Sequence, residues 1–164
     1  VELPTGASWL DWWSGTVHPG GMTLADYDST DPLHMPLFVR EGAIVPLEVA
    51  DDSTGLGTAA SKGALTVLWY PGPSGSRFLL HEEDAASTVL SAMGRELTVS
   101  RLTKPVKLRA WTAAGGVQVN GRALMSFATE AALDAAGEGY TTTAMATVVK
   151  VAASPAEARI ALMP

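Results

Sequence analysis

The chain has 164 residues, of which 47% are hydrophobic and 17% charged, with a net charge of -6 and no cysteine. That composition belongs to a globular chain long enough for a core in one or two small domains, and not to a disordered segment. The acidic balance and the lack of any Lys/Arg run exclude a sequence-independent nucleic-acid binder, and the missing thiols exclude a disulfide scaffold and thiolate metal sites.

The chain opens on Val1-Glu2-Leu3-Pro4, with no initiator Met, basic leader or signal-peptide core, and this start reads as the middle of something longer. No apolar run approaches the roughly 20 residues of a membrane span, so no membrane partner is expected. Three of the five Trp residues, Trp9, Trp12 and Trp13, fall close together, in a stretch punctuated by Pro4, Gly6, Gly15, Pro19 and Gly20-Gly21. Leu37-Phe38-Val39 and Ala43-Ile44-Val45 flank Arg40-Glu41-Gly42 and read as strand, tight turn or bulge, and strand. The Trp cluster is expected to form one compact core with Leu37, Val39, Ile44 and Val45. Trp12→Ala would then cost about 3–5 kcal/mol, the usual loss for a buried large aromatic.

Residues 48 to 64 lose all periodicity and turn to Asp, Ser, Thr, Gly and Ala, which marks a loop between sub-domains. Beyond it the period is two. Leu65, Val67 and Trp69 share a face, Phe78 and Leu80 alternate with Arg77 and Leu79, and Val106, Leu108 and Ala110 alternate with Lys107, Arg109 and Trp111. Val117 and Val119 lead into Asn120-Gly121, a hairpin signal because both residues tolerate positive φ. Thr129 to Ala136 is the one helical candidate. Thr143 to Val151 and Ala158 to Met163 complete the strands, with Ser154-Pro155 as the turn between them. Many short strands between turn signals predict an all-β fold: two small antiparallel sandwiches, 1–47 and 65–164, joined by the polar loop 48–64.

Few side chains suggest chemistry. His81, Glu82, Glu83 and Asp84, and Asp51-Asp52, could attract a hard cation. Consecutive strand residues point to opposite faces, however, so a solvated strand end is the expected reading, with no metal and no cofactor. His18 and His34 lie near the Trp cluster, where a packed, hydrogen-bonded role is expected, with no Ser or Cys nucleophile beside them. Trp111 runs out of phase with Val106, Leu108 and Ala110, which makes it the best candidate for an exposed aromatic or a contact to a missing neighbour.

The run from Leu3-Pro4-Thr5-Gly6-Ala7-Ser8-Trp9-Leu10-Asp11-Trp12-Trp13-Ser14-Gly15, through Gly20-Gly21 and Pro32-Leu33, to Pro36-Leu37-Phe38-Val39-Arg40-Glu41-Gly42-Ala43-Ile44-Val45-Pro46-Leu47 resembles a longer pattern. It is similar to the segment just after the catalytic barrel of family 31 glycoside hydrolases, loosely LPxGxWYDxWTG, GG, PLxxxPLFVRxGAIIPL. The likeness continues in Leu65 to Gly72, in Phe78 to Asp84 (with His81 and Ala85 where the family has Tyr and Gly) and in Val117 to Arg122. Nothing specific follows Phe127. The resemblance implies a parent that is a retaining α-glycosidase acting on α-glucosides or α-xylosides through two barrel aspartates, a nucleophile and an acid/base. It also implies that this chain carries neither. Trp9-Leu10-Asp11 has only a superficial likeness to the family's nucleophile stretch W-I-D-M-N-E, and a (β/α)8 barrel needs about 200 residues or more.

The function expected from the resemblance is that of a non-catalytic accessory module whose partner is the barrel. An independent carbohydrate-binding module, using Trp111 and Tyr140 as exposed aromatics in weak sugar contacts, and a stand-alone fragment protein of unrelated role are the alternatives. The resemblance also implies that part of the first sandwich is built from preceding chain. An open sheet edge would then favour self-association or re-pairing of the N-terminus.

Overall fold

The computed structural model describes residues 1–28, 30–47, 63–81, 87–102, 104–154 and 156–164. Period-two patterning dominates it: 48% is strand and 4% helix. β1 (Ser8–Asp11), β2 (Val17–Pro19) and β3 (Phe38–Arg40) form a three-stranded antiparallel sheet in the order β2-β1-β3. A five-stranded sheet, β12-β13-β9-β5-β4, contains β4 (Ile44–Leu47), β5 (Leu65–Trp69), β9 (Val106–Ala110), β12 (Gly139–Thr142) and β13 (Thr147–Val151). A six-stranded sheet, β11-β10-β14-β8-β7-β6, contains β6 (Ser76–His81), β7 (Ser87–Met93), β8 (Glu96–Val99), β10 (Gly116–Val119), β11 (Arg122–Ala123) and β14 (Ala158–Met163). The inner faces of the two larger sheets meet in one core through Val67, Trp69, Leu90, Leu97, Val106, Leu108, Val149 and Ile160. This is the β-sandwich that the alternation predicts.

The structure refines this reading in several places. The N-terminal unit is a single small sheet rather than a second sandwich. β3 and β4 flank the turn at Gly42 (φ 85) as expected, but they enter different sheets. β4 lies before the polar stretch yet pairs antiparallel with β5, Ile44 opposite Trp69, so the large sandwich takes an edge strand from the N-terminal side of that stretch. β5 and β9 run parallel, Val67 opposite Leu108. A parallel pair needs a crossover, and here the chain crosses to build β6, β7 and β8 of the facing sheet before it returns. Asn120 (φ 51) and Gly121 (φ 80) make the hairpin turn.

The predicted helix is α1 (Glu130–Ala135), with Thr129 as N-cap accepting from the N–H of Ala132. It lies on the outer face of the five-stranded sheet and buries Leu133 completely. Lys107, read from alternation as solvent-facing, is therefore only 4% exposed.

The single Trp-centred core is not formed. Leu10, Val39 and Tyr70 are the buried members of a small cluster, with Trp12, Ala43 and Trp111 packed against it. Trp13 and Leu37 are exposed, Val45 is half-buried, and Ile44 joins the main core instead. The physical reason is size: three short strands enclose too little volume for three indoles. Half-burial lowers the expected cost of Trp12→Ala to about half of the full-burial range.

At the N-terminus Leu3 N–H donates to Met22 O and Gly21 N–H to Leu3 O, each at 2.9 Å. Asp51, Asp52, Glu82, Glu83, Asp84 and residues 48–62 of the expected loop lie outside the described residues.

Candidate functional site

The chemistry-bearing side chains of the N-terminal unit converge at its junction with the sandwich. Asp11 ends β1 and is 5% exposed. Its Oδ1 accepts from the N–H groups of Trp13 (2.8 Å) and Ser14 (3.0 Å), and its carbonyl accepts from Gly15 N–H at 2.9 Å. The Tyr27 hydroxyl lies near the carboxylate and interacts with it. Asp11 is thus the organiser of the tight turn Trp12-Trp13-Ser14-Gly15, and Gly15 supplies the positive φ of 70 that closes it.

Burial alone would raise the pKa of Asp11. The N–H donors of Ser14 and Trp13, the Tyr27 hydroxyl and the nearby His18 outweigh it and hold the carboxyl below its ordinary range. That direction is opposite to what a general acid needs. Asp11 and Asp26 both line a hollow of about 400 Å³ that also includes His18 and Tyr27. The Asp11 carboxylate is engaged by its own turn there.

Asp11→Ala is expected to cost about 1–3 kcal/mol, because enclosed N–H groups lose their acceptor; urea unfolding would measure it. The stabilisation that Asp11 provides is complete above the unfolded carboxyl value, about 3.9, and fades as pH falls through the lower folded value. The gap between the parent chain and Asp11→Ala should therefore narrow below about pH 4.

The turn seats this unit on one end of the sandwich. Gly42 N–H donates to Tyr70 O (2.8 Å), Tyr70 N–H to Ala43 O (3.1 Å) and Trp111 N–H to Trp69 O (2.9 Å). A Cβ on Gly15 would stand 3.2 Å from Met145 Cε and 3.7 Å from Trp111, and one on Gly72 only 2.6 Å from Glu41 Cγ. The two units are in close contact on both flanks.

Trp111 is therefore not a free platform. It is half-buried in this junction, and its indole N–H is enclosed without a hydrogen bond. Tyr140 is 8% exposed and belongs to the main core, so the exposure expected of it is corrected: its inward face on β12 is closed by the opposite sheet. The structure does not bring Trp111 and Tyr140 together on one open surface. His34 is exposed, with Nδ1 2.6 Å from Asp31 Oδ2 and its ring edge-on to Trp13 at 4.7 Å; His18 lies edge-on to Phe38 at 6.2 Å. Alternation missed the cationic cluster under α1, because it records faces of a strand and not what later covers them. Among the described residues no group of three His, Asp or Glu side chains could hold a metal ion, and no helix is long and apolar enough to cross a membrane.

Residues 1–45 match the family model described as the Glycosyl hydrolase family 31 C-terminal domain. A 1,6-alpha-glucosyltransferase from Sporosarcina globispora is 30% identical over 168 aligned residues, which cover 87% of this chain and 13% of that protein. The cycloalternan-forming enzyme from Listeria monocytogenes superposes with a TM-score of 0.83 at 26% identity, over 99% of this chain and 16% of that one. A Flavobacterium johnsoniae family 31 dextranase shares the fold, with a TM-score of 0.69 at 18% identity and 24% of its length covered. The chain thus spans only a small part of each of these relatives.

Proposed function

We propose that this chain, which belongs to the C-terminal region of family 31 glycosyl hydrolases, acts as the non-catalytic module that braces the catalytic barrel of a larger α-glucosyl-processing enzyme. The observation that carries this reading is the N-terminal unit: a three-stranded sheet with only Leu10, Val39 and Tyr70 buried in its cluster, fastened to the end of a complete sandwich. A sheet of that size does not stand alone. Its role is that of a connector, rigidly joined to the sandwich on one side and presenting Trp13, Val17, Leu33 and Met35 to a neighbour on the other. The relatives' names point to α-glucosyl transfer and α-glucan hydrolysis as the chemistry of the parent. Retaining glycoside hydrolysis needs two carboxyl groups about 5–5.5 Å apart across the bond, and Asp11, the only buried acid among the described residues, serves its own turn.

The isolated chain should release no nitrophenol from p-nitrophenyl α-glucoside or α-xyloside. Turnover that survives repurification and disappears in Asp11→Asn would refute the reading. A carbohydrate-binding role through Trp111 and Tyr140 has less support, because one ring is wedged in the junction and the other is in the core. Titration with isomaltose at millimolar concentration should leave the Trp fluorescence without a saturable change.

A further inference from the structure

The two ends of the sandwich differ in charge. The end that carries the small sheet is built from the segments Tyr70 to Gly75, Met93 to Arg95, Trp111 to Gly115, Thr143 to Ala146 and Met163-Pro164, among which Arg95 is the only charged side chain. Its guanidinium is drawn inward onto acceptors: Nε donates to Leu162 O (3.0 Å), Nη1 to Thr112 Oγ1 (3.1 Å), and Nη2 to Ala113 O (2.6 Å) and Met163 O (3.3 Å). The described residues of the opposite end include Arg101, Lys104, Arg122, Glu138 and Glu157. A solvated loop cluster normally carries charges of both signs. Depletion of charge, with Met and aromatic enrichment, is the mark of the centre of a protein–protein contact.

Methionine marks the same end. All six methionines of the chain are exposed, and none is in the core. Met93, Met145 and Met163, at 63%, 55% and 39% exposure, belong to this end, and Met22 and Met35 to the small sheet's unit seated on it. Flexible, polarisable thioethers suit a surface that must fit another one. Arg95 ties the Met93 turn to Met163 and to Ala113, while Thr147 Oγ1 donates to Thr112 O at 2.8 Å and brings the Met145 turn beside them. The patch is continuous with the buried junction at Trp111 and Gly15.

We infer that the charge-poor, methionine-bearing end of the sandwich is itself a docking surface for the barrel-bearing part of the parent enzyme, so that the sandwich is held by direct contact and not only through the small sheet. This inference rests on the accessory-module reading above and adds to it the surface that is used. The occupant it requires is a protein surface of apolar and uncharged character, without matching charges.

The test is methionine oxidation by dilute hydrogen peroxide, followed peptide by peptide by mass spectrometry, in the 164-residue chain and in the polypeptide as its gene encodes it. In the 164-residue chain Met93, Met145 and Met163 should oxidise at rates close to that of Met125, which is 70% exposed on the flank between β11 and β12. In the encoded polypeptide those three should slow several-fold while Met125 does not. Rates that stay equal to that of Met125 in a polypeptide carrying a barrel would overturn this surface and leave the accessory-module reading intact. An encoded polypeptide without a barrel would overturn that reading, and this inference with it. As a second arm, Met93→Glu with Met145→Glu should restore fast oxidation of Met163 in the encoded polypeptide, whereas Leu79→Glu on the outer face of the six-stranded sheet should not. Unchanged protection of Met163 in the double variant would also count against the surface.

Discussion

Lys107→Ala is expected to lower unfolding stability by about 3–5 kcal/mol, the scale for removing one partner from a buried ion pair. Lys107 stands on β9, in register with Lys150 of β13 and Thr66 of β5, on the face that α1 covers. Its Nζ lies 2.9 Å from Glu130 Oε1 and 2.8 Å from Asp134 Oδ1, and Arg109 holds the other oxygen of Glu130 at 2.8 Å. Lys150 Nζ donates to the carbonyls of Asp134 and Ala136, both at 2.7 Å, and so satisfies the end of the helix. Without Lys107, Glu130 keeps only Arg109 and the Asp134 carboxylate loses its ammonium partner, while Lys150 stays committed to the helix-end carbonyls.

Two comparisons isolate the cause. Lys107→Met combined with Asp134→Asn should recover much of the loss, since Glu130 keeps its pair with Arg109 and no buried charge is left without a partner. Arg159→Ala, which removes an exposed pair with Glu96 at 3.4 Å, should change stability by less than about 1 kcal/mol. Burial tends to raise the pKa of Glu130, but the hydrogen bond from Lys107 and the charge of Arg109 leave it lowered. This stabilisation is present above the unfolded carboxyl value, about 4.3, and is lost as pH falls through the lowered one. The deficit of Lys107→Ala should thus shrink below about pH 4. Urea unfolding at pH 7 and pH 3.5 would check both statements, and a deficit under about 1 kcal/mol at pH 7 would place Lys107 at the surface.

Trp69→Ala is expected to cost a similar amount, about 3–5 kcal/mol, through the cavity that a large buried aromatic leaves. Trp69 is fully buried, with Ile44 opposite it on β4 and Ala110 on β9. Its indole N–H makes no hydrogen bond, so Trp69→Phe loses volume but no polar contact and should retain most of the stability. Tyr70 follows directly and carries the hydrogen bonds to Gly42 and Ala43. Collapse around position 69 should therefore also loosen the small sheet, seen as greater exposure of Trp12 to a fluorescence quencher. Trp13→Ala, at a ring 44% exposed whose N–H donates to Met35 O at 2.8 Å, should fall near the range of a surface change. Equal losses at 69 and 13 would contradict the burial that separates them.

These contrasts bear on the connector role. Stability is concentrated in the sandwich and in the cluster under α1, while the N-terminal unit is held mainly through Tyr70, Trp111 and the turn that Asp11 organises. A module built this way can transmit a rigid orientation from the sandwich to a neighbour. The residues matched by the family model, 1–45, include the whole of the small sheet.

The sequence by itself determined the strands at 65–69, 106–110, 117–119 and 158–163, where the one helix lies, where Asn120-Gly121 turns the chain and which family the N-terminal motif resembles, but it did not mark β1, β2, β7, β8 or β12. Each of the features it determined is encoded within a few neighbouring residues: a period of two, a Thr cap, a pair tolerant of positive φ, a dense run of Trp, Gly and Pro. The tertiary structure alone decided the rest. Ile44 reads the same from sequence whether its strand pairs with β3 or β5, because alternation names a face and not a partner. Lys107 reads as solvent-facing until α1, encoded more than twenty residues later, lies over it. Trp111 and Tyr140 read as open aromatics until the junction and the opposite sheet close on them. Burial is a property of what distant segments do together. Local pattern sets the direction in which a side chain points, and only packing sets what it meets there.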